Sequence, residues 1–286
     1  MEGCKSFADV LLLDRKRIDL SLQFLMSAKI IAIANQKGGV GKTTTTINLA
    51  DALASFGLRA LIVDMDPQAN ATSALGLEKK PGEGIYEPLL TGSDLSDRVV
   101  KTRRKNLSIV PSELDLAAAE LELSGQPNYL VKLRSSLSSI TKSYDVILID
   151  CPPTLGLLSM NSLCAAHYLL VTLQSEYLAL EGLGQIVGVI DQLKKSRANP
   201  RLALGGIAMT MYDNRTRLAQ EVLQEVKSHY PAEIFKTNIP RTIRLSEAPS
   251  FGQTIFEYDP QGIGSKAYLN LGKEVLKRFF PKAKKR

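Results

Sequence analysis

KIIAIANQKGGVGKTT, residues 29–44, runs an apolar stretch into a glycine turn and then into TTINLADALASF, residues 45–56, whose apolar spacing is helical. Strand, glycine turn and helix start in this order predict a phosphate-binding loop. Glycines let backbone N–H groups turn inward, and the helix N-terminus adds partial positive charge. In this reading Lys42 reaches the β- and γ-phosphates of a nucleotide and the Thr43 hydroxyl ligates Mg²⁺. Gly38, Gly39, Val40, Gly41 and Thr44 complete the cradle.

The spacing departs from the usual G-x-x-x-x-G-K-[ST]. Gln36 stands where the first glycine is expected, and an additional lysine, Lys37, precedes Gly38 and Gly39. This K-G-G-x-G-K-T form resembles the deviant Walker A motif of the ParA/MinD group of ATPases. The resemblance implies that Lys37 crosses a nucleotide-sandwich dimer and touches the partner's phosphates. The competing reading is a chance glycine-rich turn with solvated lysines. It leaves the coincidence of strand, glycines, Lys-Thr and helix without an explanation.

The bulk properties fit one large α/β domain. The chain has 286 residues, 44% hydrophobic and 23% charged, ample for a core. A net charge of +7 leans towards an acidic partner, nucleic acid or an anionic membrane surface. Part of that excess sits in Lys282, Lys284, Lys285 and Arg286, so charge alone decides little. Cys4, Cys151 and Cys164 form no metal-ligand spacing, and the odd count argues against a disulfide framework. A reducing, cytoplasmic setting is expected. His167 and His229 are far apart and read as structural. No residue from Cys151 to Ser175 is charged, but Pro152, Pro153, Asn161, Ser162 and His167 divide the stretch into loop, helix and strand rather than a membrane span.

Along the chain, residues 1–25 lack a signal-peptide pattern and read as an N-terminal extension, from an upstream start or as a short helix, with Met26 just ahead of the first strand. Residues 26–281 form the nucleotide-binding domain, and 282–286 a basic tail. RALIVDMD (59–66), NLSIVPS (106–112) and YDVILIDCPP (144–153) are nearly continuous apolar runs, the pattern of strands covered on both faces. ELDLAAAELEL (113–123) is expected to be helical, and 81–105 to be variable surface. HYLLVTLQ (167–174), LALGGIAMTMYDNRT (202–216) and EIFKTNIPR (233–241) predict further strands, with residues 177–197, 217–230 and 264–280 as helices. RTIRLSEAPSFGQTI (241–255) reads as loop. The alternation predicts a doubly wound, mostly parallel sheet flanked by helices.

Two aspartate positions add chemistry. Asp150 ends an apolar strand at the edge where open α/β sheets bind ligands, and reads as a Walker B carboxylate acting on Mg²⁺ through bound water. Phosphoryl transfer also needs a water in line with the γ-phosphate, and a carboxylate at a strand end can orient it. The ParA/MinD resemblance gives that part to Asp66 and ties Asp64 to the Mg²⁺ water shell. The plainer alternative is that both merely cap a strand end.

The resemblance extends from about residue 29 to the last helix and is closest to Soj-like ParA proteins. KGGVGKTTTTINLA (37–50), VDMDPQANATSALG (63–76), ILIDCPPTLGLLSMNSL (147–163), EYLALEGL (176–183), TMYDNRTRLAQEV (210–222) and IPRTIRLSEAPSFG (239–252) carry it, in the same order. It implies ATP and Mg²⁺ as cofactors, an ATP-dependent homodimer, non-specific binding of double-stranded DNA, stimulation by a ParB/Spo0J-type centromere-binding protein, and a nucleoid-associated cytoplasmic location. Pro240 and Thr242 fall on the segment that lies near the adenine in relatives, where asparagine is usual at the position of Thr242. Arg215, Arg217, Arg241 and Arg244 are the candidate DNA contacts; solvated surface, or for Arg241 a nucleotide-side contact, is the other reading. Three rivals stand beside this one. A MinD-like membrane-associated ATPase would end in a lipid-binding amphipathic helix. An iron-protein reductase would need cluster cysteines, and a nucleotide-binding adaptor would lack the catalytic carboxylate.

Overall fold

The computed structural model describes residues 28–281; the N-terminal extension, Met26 and the tail 282–286 lie outside the described residues. Strand β1 (Lys29–Ala34) leads into helix α1 (Lys42–Ser55), followed by β2 (Ala60–Asp64), α2 (Asn70–Ala74), α3 (Tyr86–Thr91), β3 (Val100–Lys101) and β4 (Leu107–Val110). Then come α4 (Ala119–Ser124), α5 (Lys132–Leu137), β5 (Val146–Asp150), α6 (Leu157–Ala165), β6 (Tyr168–Gln174) and α7 (Ala179–Lys195). The chain continues through β7 (Ala203–Thr210), α8 (Arg217–His229), α9 (Ile243–Glu247), α10 (Ile255–Tyr258) and α11 (Ile263–Phe279).

The strands form one seven-stranded sheet in the order β3-β4-β2-β5-β1-β6-β7. Every neighbour pair is parallel except the short edge strand β3 against β4. The fold is therefore the doubly wound, mostly parallel sheet that the apolar runs predict. β2 and β5 are buried along their whole length because helices cover both faces. One core packs α3–α8 against one face, with Leu133, Leu163 and Ile186 among its buried members. The other packs α1 and α11 against the opposite face through Leu49, Leu53, Tyr268, Leu271 and Val275. At Gly272 the two helices approach so closely that a Cβ would come within 2.9 Å of the Ala52 methyl group. Register then fixes the chemistry: Asp150 pairs with Asp64 on one side and Ile33 on the other. Both aspartates and the loop after β1 meet at the carboxyl edge of the sheet.

Four local expectations change. Residues 233–241 do not form a strand; they touch the sheet only through single bridges, Ile207 to Ile234 and Tyr212 to Pro240. Phe235 N and Ile239 N still donate to β7, but the two amides of Lys236 and Thr237 are diverted to Glu274 on α11, each at 2.8 Å. Residues 81–105 are not merely surface, since Ile85, Leu89 and Leu95 are fully buried. Residues 241–255 hold α9, a 3₁₀ turn (Ala248–Phe251) and the start of α10, capped by Thr242 and Thr254. The expected helix over 113–123 begins as a 3₁₀ turn, Leu114–Ala117, before α4.

Candidate active site

The loop between β1 and α1 is held by its own neighbours. Asn35 donates to the Thr172 carbonyl at 2.7 Å and accepts from Lys37 N at 3.0 Å. Thr210 Oγ1 donates to the Val40 carbonyl at 2.8 Å. Gly39 and Gly41 adopt φ of 75° and 81°, the left-handed region where a side chain is strained, so the loop can turn its amides inward only with glycine there. Gly41 is the N-cap of α1, which places the helix N-terminus at the loop. Lys42 is buried and its Nζ donates to the Lys37 carbonyl at 2.9 Å. Burial pulls this ammonium below its ordinary pKa, opposed by Asp150, Cys151 and Asp66. Lys37 is different: it is exposed and its ammonium pairs with Glu176 of the same chain.

Opposite the loop sit the carboxylates. Asp150 and Asp64 are fully buried and Asp66 is nearly so. Thr46 Oγ1 donates to Asp150 Oδ1 at 2.9 Å, and Thr43 faces the same carboxylate. Asp150 Oδ2 is buried with no hydrogen-bond partner. Asp64 Oδ2 accepts from Thr72 N at 2.9 Å and from Thr72 Oγ1 at 2.7 Å. Asp66 Oδ1 accepts from Gln68 N at 3.0 Å. Burial first, then the facing Asp64 carboxylate, pushes the Asp150 pKa well above the ordinary range. Burial raises Asp64 too. Such crowding of acids fits a cation, and an orphaned buried carboxylate oxygen fits a hydrated one. Among the described residues no group of three or more His, Cys, Asp or Glu side chains could hold a metal alone. A hard divalent ion here needs water and phosphate oxygens to complete its shell.

A cavity of about 510 Å³ opens over this cluster, lined by the loop, Asp66 and the 248–253 segment. A second, of about 300 Å³, adjoins it through Gly41, Thr44, Met211 and Pro249, and is lined by Pro240 and Thr242. The Thr242 hydroxyl accepts from Arg244 N at 3.3 Å and caps α9. The structure thus brings Lys42, Thr43, Asp64, Asp66 and Asp150 together, with Pro240 and Thr242 one cavity away.

Of the four candidate arginines, Arg215, Arg217 and Arg244 lie away from the two nucleotide cavities, whereas Arg241 also lines the second one beside Pro240 and Thr242. Arg215 and Arg241 line a third, polar cavity of about 670 Å³. Arg217 starts α8 and Arg244 lies in α9. Three of them are paired within the chain: Arg215 with Asp213 at 2.7 Å, Arg217 with Glu221 at 2.7 Å and Arg244 with Glu247 at 3.1 Å. Sequence reasoning missed Glu176, Thr46, Thr72 and Ser112 as neighbours of the site. The threonine run 43–46 and the ANATS segment after the aspartate pair carried a weak signal for two of them.

Residues 28–204 match the AAA domain family. The chain belongs to the ParA/Soj family of chromosome-partitioning ATPases. It is 48% identical over 259 residues to the chromosome partitioning protein ParA of Myxococcus xanthus, covering 90% of this chain and 91% of that protein. It is 47% identical over 248 residues to the sporulation initiation inhibitor protein Soj of Bacillus subtilis, covering 86% and 98%. Among solved structures it is similar to cobyrinic acid a,c-diamide synthase from Mycobacterium smegmatis with bound ADP and magnesium. That match has a TM-score of 0.76 and 35% identity, over 87% of this chain and 94% of that one.

Proposed function

We propose that this protein is a DNA-partitioning ATPase that binds ATP with Mg²⁺ and pairs with a second copy of itself on doing so. The dimer binds duplex DNA without regard to sequence and hydrolyses ATP faster in the presence of a ParB-type centromere-binding protein. The observation that carries this is the convergence of Lys42, Asp66 and the unpartnered Asp150 Oδ2 at one edge of the sheet. The ADP and magnesium of the similar solved structure support the cofactor assignment, and the partitioning relatives support the cellular task.

In this reading the loop amides and Lys42 hold the β- and γ-phosphates, and the cavity beside Pro240 and Thr242 takes the base. Thr43 and Asp150, with Asp64 behind, hold Mg²⁺, which when bound draws charge from the phosphate oxygens. Asp66 orients the attacking water and accepts its proton late in the transfer. Lys37, surplus to an ordinary phosphate loop and tied only to an exposed Glu176, leaves that partner and reaches the second copy. Arg215, Arg217, Arg241 and Arg244 bind DNA phosphates, which carry no base information. A nucleoid-associated cytoplasmic location follows.

The membrane rival weakens on packing. Helix α11 buries Tyr268, Leu271, Val275 and Phe279 in the core, so its apolar face is already in use. Cys151 and Cys164 are buried and free, which suits no surface-bridging cluster. ATP turnover measured alone, with duplex DNA, and with DNA plus the cognate centromere-binding protein tests the proposal. Stepwise stimulation is expected. A rate indifferent to both additions would contradict it. Lys37→Ala is expected to bind ATP yet stay monomeric by light scattering.

A further inference from the structure

Behind Asp64, the last residue of β2, and Asp66 just past it lies another layer of side chains. Ser112, just past β4, is 1% exposed, and Thr72 in α2 is fully buried. Ser112 Oγ donates to the Asp66 carbonyl at 2.7 Å, and Ser112 N donates to Thr72 Oγ1 at 3.0 Å. Thr72 Oγ1 in turn donates to Asp64 Oδ2 at 2.7 Å. A hydroxyl has one proton; here it goes to Asp64, and its lone pair takes the Ser112 amide. Asp64 Oδ1 accepts from Asp66 N at 3.2 Å, which ties the two acids to each other.

Ser112 is itself fixed from two directions. β4 runs parallel to β2 with Val110 beside Val63. The next residue, Glu113, is buried and its carboxylate accepts from the amides of Gly82, Gly84 and Tyr86. A buried carboxylate satisfied by three backbone donors anchors the end of β4 firmly. The hydroxyl of Ser112 therefore presents a rigid reference point to the main chain of Asp66.

We propose that Ser112 and Thr72 are positioning residues for ATP hydrolysis, locking Asp64 and Asp66 as one unit at the distance from the phosphate loop that the water attack requires. This rests on the reading of Asp66 as the water-orienting carboxylate. Neither hydroxyl lines the nucleotide cavity, so both act through the aspartates. Loss of either leaves ATP binding in place and slows turnover, because a misplacement of about 1 Å costs as much as a hundredfold in rate.

The test uses Ser112→Ala and Thr72→Val, with Thr72→Ser as the conservative variant and Asp66→Ala as the control. Steady-state kinetics should show kcat down about tenfold or more with KM for ATP within about twofold. Thr72→Ser should recover most of the rate that Thr72→Val loses. In the nucleotide-free protein, hydrogen exchange of the segment 64–72 should quicken in both hydroxyl deletions, while segment 146–150 of β5 stays protected. If Asp66→Ala is inactive while Ser112→Ala and Thr72→Val keep wild-type kcat and exchange, the positioning inference is overturned alone. If Asp66→Ala hydrolyses ATP at the wild-type rate, the water-orienting reading falls and takes this inference with it.

Discussion

The nucleotide cleft and the arginine surface are built on opposite principles. Around the cleft the charged groups are buried and share partners: Lys42 on the loop carbonyl, Asp150 on Thr46, Asp64 on Thr72. On the arginine surface Arg215 and Arg217 have side chains 85% and 91% exposed, and each charge is answered by one carboxylate close by in sequence. Buried groups lose water on folding, so their positions are over-determined by hydrogen bonds and their substitution is costly. Exposed pairs gain little from one another and exchange partners readily. In the proposed reading, rigidity serves the chemistry and loose pairing serves the contact with DNA. Glu221 holds Arg217 by a single exposed contact, while Asp213 grips Arg215 through both carboxylate oxygens, so Arg217 is the one handed to a phosphate at small cost.

Four changes and one control, Arg217→Gln, break or sharpen this contrast. Lys42→Ala removes the main cation of the phosphate site, and ATP turnover should fall by a factor on the order of 10³. A normal rate would undo the phosphate-loop assignment. Arg215→Glu with Arg244→Glu should weaken duplex binding by about a hundredfold in the ATP state while ATP-driven dimerisation, read by light scattering, persists. Each lost phosphate contact should also flatten the salt slope by about one unit. Undiminished binding would move the DNA surface elsewhere, with the tail 282–286 as the next place to look.

Arg104→Ala tests the buried principle away from the chemistry. Arg104 Nε donates to both oxygens of the nearly inaccessible Asp51, which also accepts from Thr254 Oγ1 at 2.6 Å. Removing the arginine should cost about 3 kcal/mol of stability by urea unfolding. Arg217→Gln, the surface counterpart, should leave the urea midpoint unmoved; equal losses would erase the distinction.

The last change is read in pH. The folded chain holds the Asp150 proton to higher pH than the unfolded chain does, since burial and Asp64 raise it from 3.8. Releasing that proton opposes folding. This contribution is therefore fully present below the unfolded value and is lost as pH climbs above it through the raised folded value. Asp150→Asn should flatten the pH dependence of the stability of the nucleotide-free protein between pH 5 and 8. An unchanged slope would mean that Asp150 is already charged there.

The sheet was legible because its strands are covered on both faces, and KIIAIA, ALIVD and VILID are short apolar runs that end in glycine or proline turns, too short for helices. The phosphate loop was legible because glycine, lysine and threonine must follow a strand at fixed spacing. Residues 233–241 misled for the opposite reason. Their apolar pattern suits a strand, but the competitor for two of their amides is Glu274, 38 residues away from Lys236 in sequence. No local pattern announces a long-range carboxylate. Ser112 and Thr72 were hidden likewise, because a buried hydroxyl looks like any turn residue until β4 is laid beside β2. The arginine pairs lie within four residues of each other in sequence, yet nothing there distinguishes a solvated pair from a DNA contact.

The most direct test of the account is ATP turnover and complex formation by Asp66→Ala, beside the wild-type chain, with Mg²⁺ and duplex DNA. The account predicts that the variant binds ATP, forms the dimer and stays on DNA while hydrolysis falls by a factor on the order of 10² to 10³. Wild-type turnover in that variant, or failure to bind ATP at all, would contradict it.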